Sequence, residues 1–314
     1  MSRQESTLPK RPILVVCLNP VLQRTLLFAD WKENEVNRTG EYFLHASGKG
    51  VNVSRVLTHL GATAVHLTHA GGRQRSYFLE MCADDGIRVE WAESEAEIRT
   101  CTTLLSRRNQ SSTELVEEAR PVAAETEGRI RRRFLELIDK VGFMVISGTK
   151  AAGYSDELYP WMVGEAGRRE VPVVLDIKDS DLENSLRHRP LLIKPNLAEF
   201  AKSFLGKELE SEQAEDPKLI AEAQSRMRAL AAEYGTSVVL TRGGKGLLAC
   251  HQGEIISREA LPLTPVNTIG CGDAFTAGCA FELARGGSFD DALDLGTKCA
   301  AANARLITPG SIQE

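Results

Sequence analysis

The stretch NTIGCGDAFTAG, residues 267–278, sets one carboxylate, Asp273, directly behind Gly270, Cys271 and Gly272 at the mouth of a segment with helical patterning. A helix N-terminus presents unpaired N–H groups to an anion. Glycines let the main chain come close to that anion. A carboxylate in the same place repels it, so Asp273 needs another task, such as taking a proton from an alcohol. Taken alone, GxGD is equally an ordinary helix cap, since Asp is common there.

Two further clusters invite a phosphate-loop reading: ASGKGVN (46–52) and TRGGKG (241–246). Neither is GxxxxGK[ST]. Lys49 and Lys245 are followed by Gly50 and Gly246, and Phe43 stands where the first glycine belongs. The residue that would hold magnesium in such a loop is therefore missing. No GxGxxG follows the first apolar run, which argues against a dinucleotide fold. KPNLAEF (194–200) places Asn196 and Glu199 about one helical turn apart, on one face. An N-capped helix with a solvated Glu199 is the plainer alternative.

These stretches need elements to hold them. ILVVCL (13–18) suits a buried strand, and Val53, Val56, Leu57 and Leu60 carry helical spacing that Gly61 ends. From residue 129 strands and helices alternate: helix near 129–138, strand FMVISG, helix 156–169, strands VPVVLDI and LLIKP, helices 197–205 and 217–234, then strand SVVLTRGG. A hairpin follows, and two helices, 273–285 and 289–306, finish the chain. The alternation predicts an α/β fold: a mainly parallel central sheet with helices on both faces. Strand-rich inserts at about 20–46 and 87–120 predict a small β-sheet lid. Residues 1–10 read as a loose tail and 11–314 as one domain.

The 314 residues can bury a sizeable core. A net charge of −5 gives no reason to expect nucleic-acid or anionic-membrane binding. The start has no apolar signal-peptide core, and no apolar run is long enough for a membrane span. Seven scattered cysteines without a CxxC pair argue against a disulfide framework or structural zinc site. Together these features predict a cytoplasmic protein.

Taken in order, GKGVN, VISG, KPNLAE, LTRGGKG and GCGD make the chain resemble the PfkB (ribokinase-like) carbohydrate kinases over nearly its whole length. The branch it most resembles is that of the 1-phosphofructokinases and tagatose-6-phosphate kinases. The resemblance implies an ATP- and Mg2+-dependent transfer of phosphate to a sugar phosphate. Asp273 would be the catalytic base, and the amides from Ile269 through Asp273 an anion hole. Asn196 and Glu199 would organise magnesium, mostly through water. Thr241, Gly244 and Gly246 would line the nucleotide loop, with Asn303 facing adenine or ribose. Gly48, Lys49, Gly50 and Asn52 would contact the sugar. Arg99 would grip the acceptor's own phosphate, with Lys150 a further candidate cation; for both, an ordinary solvated charge is the alternative. A homodimer through the lid is implied as well.

Three departures fall in the substrate half. Gln23 stands where the family usually has an Asp that bonds the sugar. Ser47 replaces the first glycine of GGKG. IRTC (98–101) keeps Arg99 but puts Ile98 and Cys101 where polar residues are usual. A neutral amide in place of a carboxylate changes hydroxyl recognition. A kinase for a non-phosphorylated sugar or nucleoside, or a silent binding protein, are therefore the rivals.

Overall fold

The computed structural model describes residues 8–313. Most of the expected tail, residues 1–7, lies outside the described residues. The chain begins with β1 (Ile13–Val16), then leaves the core for β2 (Val21–Phe28) and β3 (Tyr42–Ser47). It returns through α1 (Lys49–His59), β4 (Ala64–Gly71), α2 (Arg75–Asp84) and β5 (Arg88–Ser94). A second excursion holds β6 (Arg99–Ser106) and β7 (Ser111–Val116). Then follow α3 (Ala124–Ile138), β8 (Phe143–Ser147), α4 (Leu158–Gly167), β9 (Val173–Asp176), α5 (Asp179–Ser185), β10 (Leu192–Ile193), α6 (Leu197–Phe200), α7 (Pro217–Tyr234) and β11 (Ser237–Thr241). The hairpin β12 (Leu247–His251) and β13 (Glu254–Arg258) leads to α8 (Cys271–Ala284) and α9 (Phe289–Ala304).

The large sheet runs β13-β12-β11-β10-β9-β8-β1-β4-β5. From β11 to β5 every pairing is parallel; the hairpin adds two antiparallel strands. Strand alternation splits the core. Leu14, Val16, Met144 and Ile146 face a layer that includes α3, α4 and α7. Ile13, Val15, Phe143 and Val145 face α1, α8 and α9. A parallel sheet covered on both faces needs such continuous apolar strands. The chain turns in opposite directions from β1, toward β4 on one side and β8 on the other. A crevice opens at the carboxyl ends of strands at such a switch point.

The small sheet runs β3-β2-β6-β7, with β2 and β6 parallel at its centre. The expected lid span of 87–120 was too wide. Residues 88–94 form β5, which pairs with β4 on the edge of the large sheet. Its half-buried alternation looks like a lid strand because only one of its faces is well covered. The strand expected at LLIKP shrinks to Leu192–Ile193, and helix 197–205 is a short α-helix continued by a π turn over Ala201–Leu205. Helix α5 was not anticipated. No helix among the described residues is long and apolar enough to cross a membrane.

Candidate active site

A cleft of about 940 Å³ runs along the carboxyl ends of the central strands and under the small sheet. A recess of about 200 Å³ adjoins it; Lys49, Arg99 and Glu199 line both. Asp273 sits on the first turn of α8, only 6% exposed. Its Oδ2 accepts a 2.8 Å hydrogen bond from Asn52 Nδ2. Burial pushes its carboxyl up to about 6, against the pull of Lys49, Asn52 and Lys194 and with help from Asp176. A helix N-terminus by itself favours the ionised carboxylate and so a weaker base. Loss of water outweighs that dipole and leaves a stronger one.

Gly270, at the head of α8, has φ +84°, and a Cβ there would come within 2.5 Å of Gly310 N. Only glycine fits this position without displacing the C-terminal segment. Two of the amides expected to form an anion hole over residues 269–273 already have partners. The Ile269 amide donates to Asn267 Oδ1 at 3.0 Å, and the Cys271 amide reaches Thr268 O at 3.3 Å. The amides of Gly270, Gly272 and Asp273 bond nothing among the described residues. Lys194 Nζ lies 3.6 Å from where a Gly272 side chain would begin. Three open N–H groups at the head of α8, with an ammonium close by, are an arrangement suited to an oxyanion.

Two residues that the sequence reading passed over complete this floor. Asp176, at the end of β9, is buried and accepts from Ser147 Oγ and Thr276 Oγ1. Lys194 and Lys49 approach its Oδ1 at 3.2 and 3.3 Å. Burial would raise its carboxyl, but the two lysines hold it below the ordinary range. Burial likewise opposes the Lys49 charge; Asp176, Asp273 and Glu199 overcome it and keep the ammonium protonated. The signal for Asp176 was its place at the carboxyl end of VVLD, a parallel strand two places from β1 in the central sheet. Lys194 stood in the KPNLAEF stretch itself.

Asn196 and Glu199 hold each other in a closed capping box at the start of α6. Asn196 Oδ1 accepts from the Glu199 amide at 2.8 Å, and Glu199 Oε2 accepts from the Asn196 amide at 3.0 Å. Both still line the cleft, with Thr241, Gly244 and Gly246 beside them. No group of three or more His, Cys, Asp or Glu side chains gathers at metal-ligand spacing among the described residues. A metal caged by three or more such side chains therefore does not fit these residues. A Mg2+ held mainly by water and phosphate oxygens does, with Glu199 Oε1 as the free hard donor.

Gln23, on β2, lines the cleft; its Nε2 donates to Thr103 Oγ1 at 2.8 Å. Gly48, Lys49 and Asn52 line it too. Arg99 begins β6, with Nη1 on Glu117 O at 3.0 Å and its buried Nε unpartnered. Three expected site residues turn elsewhere. Gly50 packs inward: a Cβ there would lie 2.4 Å from Cys17 Cβ. Lys150 lines neither space; its ammonium pairs with Asp181 and lies 5.5 Å from the Tyr159 ring centre. Asn303 is fully buried behind the anion loop. It donates to Ile269 O and Cys271 Sγ and accepts from the Ser311 amide, so no polar group is left for a nucleotide.

With this geometry in view, a match to a known family is informative. The description "pfkB family carbohydrate kinase" matches residues 14–311. The chain belongs to that family. Its members are sugar kinases, and this chain is one by descent and fold. Among solved structures it is similar to phosphofructokinase-2 from Escherichia coli in complex with potassium, at 20% identity and TM-score 0.83, covering 95% of this chain and 94% of that one. It is similar to a possible 1-phosphofructokinase from Thermotoga maritima, at 22% identity and TM-score 0.82, covering 94% and 92%. A further match is phosphofructokinase-2 from Escherichia coli with fructose-6-phosphate, at 20% identity and TM-score 0.83, covering 94% of each. Such identities speak for the ribokinase-like fold alone.

Proposed function

We propose that this carbohydrate kinase moves the γ-phosphoryl group of ATP, with Mg2+, onto a hydroxyl of a ketohexose phosphate such as fructose 1-phosphate or tagatose 6-phosphate. Asp273 takes the hydroxyl proton on Oδ1, the oxygen that Asn52 leaves free. As that proton leaves, the sugar oxygen bonds to phosphorus. The bond to the bridging oxygen of ADP breaks, and ADP keeps the electron pair. The open amides of Gly270, Gly272 and Asp273, with Lys194, stabilise the charge on the phosphoryl oxygens in flight. Bound Mg2+ would neutralise charge on the nucleotide phosphates, beside Glu199 and Asn196. The observation that carries this reading is a buried carboxyl of raised basicity next to three unbonded amides.

Arg99, with Lys49 in the adjoining recess, supports a phosphorylated acceptor, since both cations line that space. A second reading, an acceptor without phosphate, draws on Lys150, which Asp181 has claimed. The acceptor-binding residues on the lid are Gln23 and Arg99. Exposed Tyr42, Leu115 and Val116 on the lid strands support a homodimer through the lid. A phosphoryl-transfer assay over ketohexose phosphates, free sugars and nucleosides tests the proposal. Transfer to ketohexose phosphates with the highest kcat/KM is expected. Preference for unphosphorylated acceptors would overturn the substrate class, and silence with all of them would overturn the catalytic reading.

A further inference from the structure

Asn52 stands on the first turn of α1, and its amide has a different neighbour at each end. Nδ2 donates to Asp273 Oδ2. Oδ1 accepts from Ser47 Oγ at 3.0 Å and from Arg55 Nη1 at 3.4 Å. Ser47 and Arg55 are both buried. The guanidinium is itself immobile: it donates to Pro309 O, to Ala46 O and twice to Asp85 Oδ2. An amide turned over would set its NH2 against the guanidinium, which cannot accept, and its oxygen against a carboxylate. One orientation alone satisfies every partner.

Ser47 is one of the departures noted in the sequence. A glycine there supplies no hydroxyl, and the Arg55 contact alone is long for a hydrogen bond. We propose that Ser47 is a positioning residue for phosphoryl transfer: with Arg55 it fixes the Asn52 amide, which keeps an N–H on Asp273 Oδ2 and leaves Oδ1 to receive the acceptor's proton. The inference rests on the reading of Asp273 as general base. The hydroxyl also polarises the amide and strengthens the bond it gives to the carboxylate. The other groups facing Asp273 are Lys49 on α1, Asp176 at the end of β9, Lys194 after β10, and the thiols of Cys17 and Cys271. None of them is hydrogen-bonded to Ser47.

The test follows the Asp273 carboxyl directly, by carbon NMR titration of the enzyme without ligands. The resonance is identified by its loss in Asp273→Asn. Wild type is compared with Ser47→Ala and with Ser47→Gly, the residue type usual in the family; thermal unfolding confirms that each is folded. In both variants the midpoint should rise by about half a unit, the weakening expected for one lost supporting bond. The acid limb of the kcat profile should rise with it, and KM for ATP should hold. A midpoint equal to wild type in both variants overturns the inference, whatever happens to turnover. Full turnover in Asp273→Asn would instead sink the general-base reading, while a moved midpoint would still establish that Ser47 orients Asn52.

Discussion

Two helices begin at the floor of the same cleft, and their first turns are finished in opposite ways. At α6 the chain closes its own end: Asn196 and Glu199 satisfy each other's amides. At α8 no side chain caps the start, Gly270 turns left-handed, and three amides stay open. The closed end is stable without any ligand. The open end is costly until an anion arrives, and Asp273 adds to that cost because burial disfavours its charge. Rigidity sits beside the proposed metal and latent binding energy beside the proposed phosphoryl site.

The comparison can be broken most sharply at the open end. Asp273→Asn should lower kcat by about 10²–10⁴-fold, the range for a lost general base, with nucleotide affinity kept. The same change should raise the melting temperature at neutral pH. A carboxyl whose folded pKa is raised contributes stability below its unfolded value, and that contribution is lost as pH rises through about 6. Asn carries no charge to strand, so calorimetry at pH 8 should show a gain that vanishes toward pH 4. Gly270→Ala comes next. A side chain at φ +84° meets both backbone strain and Gly310, so stability should fall by about 1–3 kcal/mol and turnover with it.

Milder tests sharpen the contrast. Wild-type kcat/KM should fall as pH drops through about 6, as the Asp273 carboxylate takes up its proton; a flat profile from 5 to 8 would remove it as base. Arg99→Ala should raise KM about tenfold or more for phosphorylated acceptors and leave KM for free sugars and ATP unchanged. The smallest effect belongs to the closed end: Asn196→Ala should cost about 1 kcal/mol in chemical denaturation, the value of a helix cap.

The parallel sheet with helices on both faces was legible because apolar runs and helical spacing alternate after residue 129, and the structure keeps that order. Asp273, Asn52, Lys49, Gln23 and Arg99 do converge on one cleft. What misled was side-chain direction. Lys150 sits in a glycine-flanked loop near the strand ends, yet Asp181, on a helix no pattern announced, draws it away. Asn303 is on the expected helix but faces the back of the anion loop, because Ile269 O and Ser311 need a partner there. Asp176 went unnoticed because one acidic residue ending an apolar strand looks like a simple boundary. Its meaning comes from two lysines that only the fold brings to it.

The small sheet has a consequence for how the molecule assembles and opens. Its central strands, β2 and β6, pair in parallel, and the Gln23–Thr103 bond joins residues 80 apart. No local hairpin can build that seam, so it must wait until α1, β4, α2 and β5 have been threaded between its two halves. Amide exchange in β2 and β6 should therefore keep pace with exchange in that intervening unit and not with fraying at the outer strand β7. The cover over the cleft is stitched into the body of the enzyme, and loosening one loosens the other.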